Sequence, residues 1–151
     1  MVTLDDLKSI IMLSYLDDHM LEKLVEITLK AEYSGGDYIF REGDYARYLY
    51  AIIDGKIALE IEKVTGNPVT VDTVGRSRVF GISALVDTTQ KKYIEHARAV
   101  VDTEVFVWER AELEKLFQQD YEMGYVFMKL IARITKMRME TRAVQLIDIY
   151  S

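Results

Sequence analysis

Few residues of this chain are spaced for chemistry, and those few exclude more than they offer. Cysteine is absent from the 151 residues, which removes disulfides, thiolate metal sites, cysteine-ligated clusters and a cysteine nucleophile. The two histidines, His19 and His96, belong to no His/Asp/Glu run with metal-ligand spacing. They read as a helix-surface and a strand-surface residue. Asp17-Asp18 is the nearest approach to paired carboxylates, but adjacent side chains point apart, and Asp17 reads better as a helix cap. No nucleophile elbow, P-loop or dinucleotide fingerprint occurs. The cations Arg133, Lys136, Arg138 and Arg142 make the last part of the chain locally basic. They read as the solvated flank of a helix, with contact to an acidic partner as the alternative. Phe80-Gly81-Ile82-Ser83-Ala84-Leu85-Val86 looks like a strand end, a glycine turn and one helical turn.

Composition sets the frame for these residues. Lys and Arg total 19 against 25 Asp and Glu, a formal charge of −6, and half the residues are apolar. The length suits one domain with a real core, and the apolar fraction excludes a disordered chain. The acidic balance argues against nucleic-acid binding by bulk charge. The N-terminal residues are acidic where a signal peptide is basic, and no run approaches 18 apolar residues, so a soluble cytoplasmic protein without a membrane segment is expected.

Three zones must position whatever chemistry there is. Residues 1–34 read as helical: Leu4, Leu7, Ile10 and Ile11 recur at helical spacing, and Asp17 caps a second helix with Met20 or Leu21, Leu24, Val25 and Leu29 inward. Residues 35–109 switch to period two. Ile57, Leu59 and Ile61 alternate with polar or small residues, and glycine turns recur, so a sandwich or barrel of short strands is expected, with Asp54-Gly55 as its best hairpin. Trp108 and the tyrosines at 45, 48 and 50 read as strand packing. Residues 110–151 return to helix: a short piece with Leu113 and Leu116 inward, then a proline-free helix from about 120 to 150. Along it Phe127, Leu130, Ile134, Met137, Thr141 and Val144 form a coiled-coil-like seam. About 30 helical residues span roughly 45 Å, longer than so small a barrel covers. A second copy of the chain is therefore expected on the seam.

The order and several motifs resemble the cyclic nucleotide-binding domain of catabolite-activator-like regulators. Residues 13–18 with Leu21 and Leu24 resemble that family's N-terminal helices. Residues 36–44 resemble its first strand and turn, and residues 50–57 its next strand and hairpin. Phe80-Gly81, followed by Ala84-Leu85, falls where its phosphate cassette begins. Residues 99–105 match the strand after the cassette, and residues 124–128 the start of its dimerisation helix. The resemblance implies a single α+β domain over 1–151. Its core would be a jelly-roll-like antiparallel β-barrel over 35–109 with a cassette-like insert at 80–93, flanked by N-terminal helices and a long C-terminal dimerisation helix. It also implies a pocket formed by Phe80, Gly81, Ile82, Ser83, Ala84, Leu85, Tyr93 and Ile94. The Ser83 and Ala84 N–H groups would face an anion there.

Two positions depart from the family pattern. Where it has a glutamate after Phe-Gly to hold the ribose hydroxyl, this chain has Ile82. Where it has an arginine for the phosphate, this chain has Tyr93, a neutral single donor in place of a charged fork. Lys91 or Lys92 replaces that charge only if the loop slips in register. The expectation is a non-enzymatic regulatory domain with a degenerate pocket that does not bind cyclic AMP tightly. A ligand-free homodimerisation module and a sensor of another small molecule are the alternatives. A homodimer and a protein partner are expected, without a cofactor. The chain ends at Ser151 without room for a helix-turn-helix, so direct DNA binding is not expected.

Overall fold

A computed structural model describes all residues, 1–151. The chain opens with α1 (Leu4–Lys8), a tight 3-10 turn (Met12–Tyr15) and α2 (Asp18–Glu26). Asp17 caps α2 as expected, its Oδ1 accepting from the Met20 N–H at 2.8 Å. Eight strands follow: β1 (Leu29–Tyr33), β2 (Tyr38–Phe40), β3 (Tyr48–Asp54), β4 (Ile57–Ile61), β5 (Val69–Val74), β6 (Val79–Phe80), β7 (His96–Ala99) and β8 (Thr103–Glu109). Then come α3 (Arg110–Gln119) and α4 (Tyr121–Tyr150). The strands form two antiparallel four-stranded sheets, in the orders β1-β8-β3-β6 and β2-β7-β4-β5. The expected jelly roll is present as two packed sheets, without a ladder joining them into a closed barrel.

Two sequence expectations are corrected here. Leu29 does not extend α2: that helix ends at Glu26, and Leu29 begins β1 with 60% of its surface exposed, opposite Val107 of β8. Asp54-Gly55 does not close a hairpin either. β3 pairs with β8 and β6, whereas β4 pairs with β5 and β7, so this turn carries the chain from one sheet to the other. Gly55 has φ +121°, and a Cβ there would lie 2.3 Å from Thr103 Oγ1. A crossover with that close approach and a hairpin both call for glycine, so the dipeptide does not distinguish them.

Burial on both faces explains the unbroken apolar run in β8. Val105 and Val107 point between the sheets, alongside Tyr50 and Ile52 of β3, Phe40, Leu59, Phe80 and Ala97. Phe106 and Trp108 point the other way, joining Leu49 and Ala51 under a helical layer of Leu7, Leu13, Leu21, Leu24, Leu113, Phe127 and Ile131. A central strand covered on both sides has no solvent face to alternate with. Trp108 Nε1 donates to Thr28 Oγ1 at 2.7 Å, satisfying the buried indole.

The same helical layer fixes where α4 starts. Asp120 caps it through the Met123 N–H at 3.0 Å and also meets Lys23 Nζ of α2 at 3.0 Å. Gly124 lets α3 approach: a Cβ there would stand 2.9 Å from Phe117 Cβ. Of the expected seam, Phe127 is buried within the domain's own core, Leu130 and Ile134 are half-buried against it, and Met137, Thr141 and Val144 are exposed. α4 is therefore a core helix at its start and a largely uncovered one at its end.

Candidate functional site

A cleft of about 780 Å³ lies between the Gly81 turn, residues 86–95 and α4. Gly81 makes the turn possible. Its φ is +80°, and a Cβ would stand 3.0 Å from the Tyr48 carbonyl oxygen and 3.2 Å from the Tyr50 ring. The reversal sorts the neighbouring side chains. Gly81, Ile82 and Ser83 line the cleft, as do Tyr93 and Ile94. Phe80 instead enters the core between the sheets, while Ala84 and Leu85 pack under the helices. These three expected pocket residues therefore stand behind the cleft wall. The Ala84 N–H, expected to face an anion, donates to the Gly81 carbonyl at 3.1 Å inside its own turn.

Tyr93 packs at the inner end of the cleft. Its ring stacks on Phe40 with centroids 3.6 Å apart and planes 8° from parallel, and Phe80 and Tyr50 stack behind at 4.9 Å. Its hydroxyl donates to the Tyr48 carbonyl at 2.5 Å and accepts from the Tyr48 N–H at 3.1 Å. Burial pushes the Tyr93 and Tyr50 phenols above the ordinary tyrosine pKa, so both are neutral donors at neutral pH. The register of this segment is held by backbone bonds: Gly43 N–H to the Tyr93 carbonyl, Tyr93 N–H to the Asp44 carbonyl, and Ala46 N–H to the Lys91 carbonyl, each at 2.9 Å. The tyrosine thus faces inward. Lys91 and Lys92 are exposed, and only Lys92 reaches the cleft rim.

The roof differs from the sequence reading. Arg138 and Arg142 of α4 line the cleft instead of forming a solvated flank. Arg138 donates to the Val79 carbonyl, and its Nε lies 3.7 Å from Asp72. Desolvation lowers its pKa below the ordinary arginine value, against the opposing pull of Asp72 and Glu95. Arg142 Nη2 meets Glu95 Oε2 at 2.7 Å, while its Nε–H is buried without an acceptor. Thr135 and Met139 complete the roof. The four-residue spacing of Arg138 and Arg142 was the available signal that they share a helix face. Nothing in the sequence said that this face is folded down onto the sheets.

His96 is a further correction. It is buried, not on a strand surface: its Nδ1 accepts from the Glu42 N–H at 2.9 Å, and its Nε2 lies 2.7 Å from Glu62 Oε2. It holds the β2–β3 turn against β7 and does not line the cleft. His19 is exposed on α2.

The frame agrees with known proteins. The family profile described as "Cyclic nucleotide-binding domain" matches residues 30–120. An anaerobic regulatory protein of Bacillus subtilis (strain 168) is 33% identical over 112 residues, covering 73% of this chain and 46% of the regulator. The chain thus spans about half the length of that relative. Among solved structures, a cyclic nucleotide-binding domain from Methylobacillus flagellatus superposes with a TM-score of 0.82 at 16% identity, covering 96% of this chain and 80% of that one. A putative cyclic nucleotide-binding protein from Geobacter metallireducens gives a TM-score of 0.80 at 23% identity, covering 92% and 99%. The chain belongs to the cyclic nucleotide-binding domain family. No helix is long and apolar enough to cross a membrane.

Proposed function

We propose that this chain is a non-enzymatic regulatory domain that keeps the cyclic nucleotide-binding frame but does not grip a cyclic nucleotide. The observation that carries the reading is Tyr93, stacked on Phe40 and bonded twice to the Tyr48 backbone where the family resemblance expects a phosphate-pairing arginine. An isoleucine at 82 leaves the ribose hydroxyl without a partner. A charge-assisted hydrogen bond contributes about 1.5–3 kcal/mol, so losing both anchors weakens binding by roughly two to four powers of ten.

Output passes through α4, which roofs the cleft and extends beyond the core. Leu130, Ile134, Met137 and Thr141 line a second groove of about 360 Å³ beside Ile11 and Tyr15. Val144, Leu146, Ile147 and Ile149 continue exposed towards the helix end. A second copy's α4 is the proposed cover, which would make the domain a dimer that passes the state of its clefts to a protein partner.

Titration calorimetry of the full chain with cyclic AMP, cyclic GMP and cyclic dinucleotides tests the ligand half of this reading. No binding at micromolar concentration is expected, and Ile82→Glu with Tyr93→Arg is expected to gain affinity for cyclic AMP. Wild-type binding of cyclic AMP at micromolar strength would overturn it.

A further inference from the structure

With Tyr93 packed at the inner end, the cleft still presents a cation and an apolar wall. Lys92, Arg138 and Arg142 line it against only Glu42 and Glu95 among the acids. Arg138 is already engaged by the Val79 carbonyl and Asp72. Arg142 is not saturated: a guanidinium offers five N–H donors, Glu95 is its one acceptor, and its Nε–H is buried with none. A buried donor without an acceptor is costly, and an incoming anion relieves that cost. Around this group Val86, Ile94 and Met139 are apolar yet exposed, Ile94 by 65%, and all three line the same cleft with Ile82. Scattered apolar surface residues are ordinary; several facing one cleft beside an under-used cation are a recognition pattern.

We infer that the cleft binds a small organic anion, one carboxylate, sulfonate or phosphate on an apolar body, with Arg142 of α4 as the anion's partner. This deepens the proposed function and rests on its reading of the closed inner end. The ligand anion displaces the Glu95 carboxylate from Arg142, and its apolar body covers Ile82, Val86, Ile94 and Met139. Because Arg142 rides on α4, the exchange of Glu95 for ligand acts directly on the helix proposed to carry the output.

The test uses 8-anilinonaphthalene-1-sulfonate, a fluorescent aryl sulfonate, on the full chain, with the neutral dye Nile red as control. Arg142→Met should weaken binding of the sulfonate about ten- to a hundred-fold. Glu95→Gln should strengthen it, because the competing carboxylate is gone, and Nile red should respond to neither change. Sulfonate binding that ignores both substitutions would overturn the inference. If Arg142→Met fails to fold, Glu95→Gln decides alone: tighter binding supports the site, and unchanged binding overturns it. Cyclic AMP titrated into wild type and into Arg142→Met separates the two readings. Micromolar binding that is equal in both would overturn the closed inner end, while the dye's response to the variants judges the arginine site on its own terms.

Discussion

Replacing Tyr93 tests whether the protein itself occupies the inner end of the cleft. Tyr93→Phe keeps the ring on Phe40 and removes only the hydroxyl, which serves both the N–H and the carbonyl of Tyr48. Two hydrogen bonds at about 1 kcal/mol net each give a loss of about 2 kcal/mol. For a chain of this size that lowers Tm by about 4–8 °C. Tyr93→Ala also removes a ring stacked at 3.6 Å and leaves a cavity among Phe40, Phe80 and Tyr50. A buried aromatic truncated to alanine costs about 3–5 kcal/mol. Urea denaturation followed by circular dichroism reads both variants, with thermal melts as a check. The expected order is wild type, Phe, then Ala, with an unchanged denaturant slope. If Phe is neutral and Ala costs less than about 1 kcal/mol, the ring is not packed and the inner end is open to a nucleotide.

Three further outcomes follow from the same structure. Tyr50 and Tyr93 have pKa values raised by burial above the ordinary 10.0. Their neutral forms therefore support folding fully below pH 10, and that support is lost above pH 10 as the unfolded phenols ionise first. Stability measured from pH 8 to 11 should fall above 10, and Tyr93→Phe should flatten the fall; an unaltered slope counts against burial of this phenol. Gly55→Ala places a Cβ against Thr103 at a φ of +121° and should destabilise by about 1–3 kcal/mol in the same urea assay, with a neutral result contradicting the sheet crossover. Met137→Glu with Val144→Glu alters two exposed positions of α4 and should give monomers by light scattering that keep the wild-type circular dichroism spectrum. Persistence of a dimer would remove this face from the interface.

Much of the fold was legible because its signals are local. The strand at β4, the Asp17 cap of α2 and the proline-free run of α4 each depend on neighbours a few residues away, and each element is present, although β4 does not alternate in burial: Ala58 and Glu60 are buried with Ile57 and Leu59, and Ile61 is exposed. The residues flanking the cleft were legible only in part. Gly81, Ile82 and Tyr93 could be placed by their order along the chain, but Phe80, Ala84 and Leu85 could not be assigned to the correct side of the turn. A single left-handed glycine decides which side chains face the cleft and which face the two cores. Leu29 was misplaced because one helix-spaced leucine is also a possible first residue of a strand.

By itself the amino-acid sequence determined the class of architecture, since strand and helix signals are short-range; that Ile82 and Tyr93 stand at the family's two anchor positions is what the resemblance implies. Only the tertiary structure decided how the cleft is filled. It stacked Tyr93 on Phe40, a residue 53 positions earlier, and laid Arg138 and Arg142 against the sheets. The physical reason is that stacking and charge pairing depend on distances in space between segments remote in sequence. A basic residue on a helix has the same local signature whether its neighbour is water or a buried carboxylate.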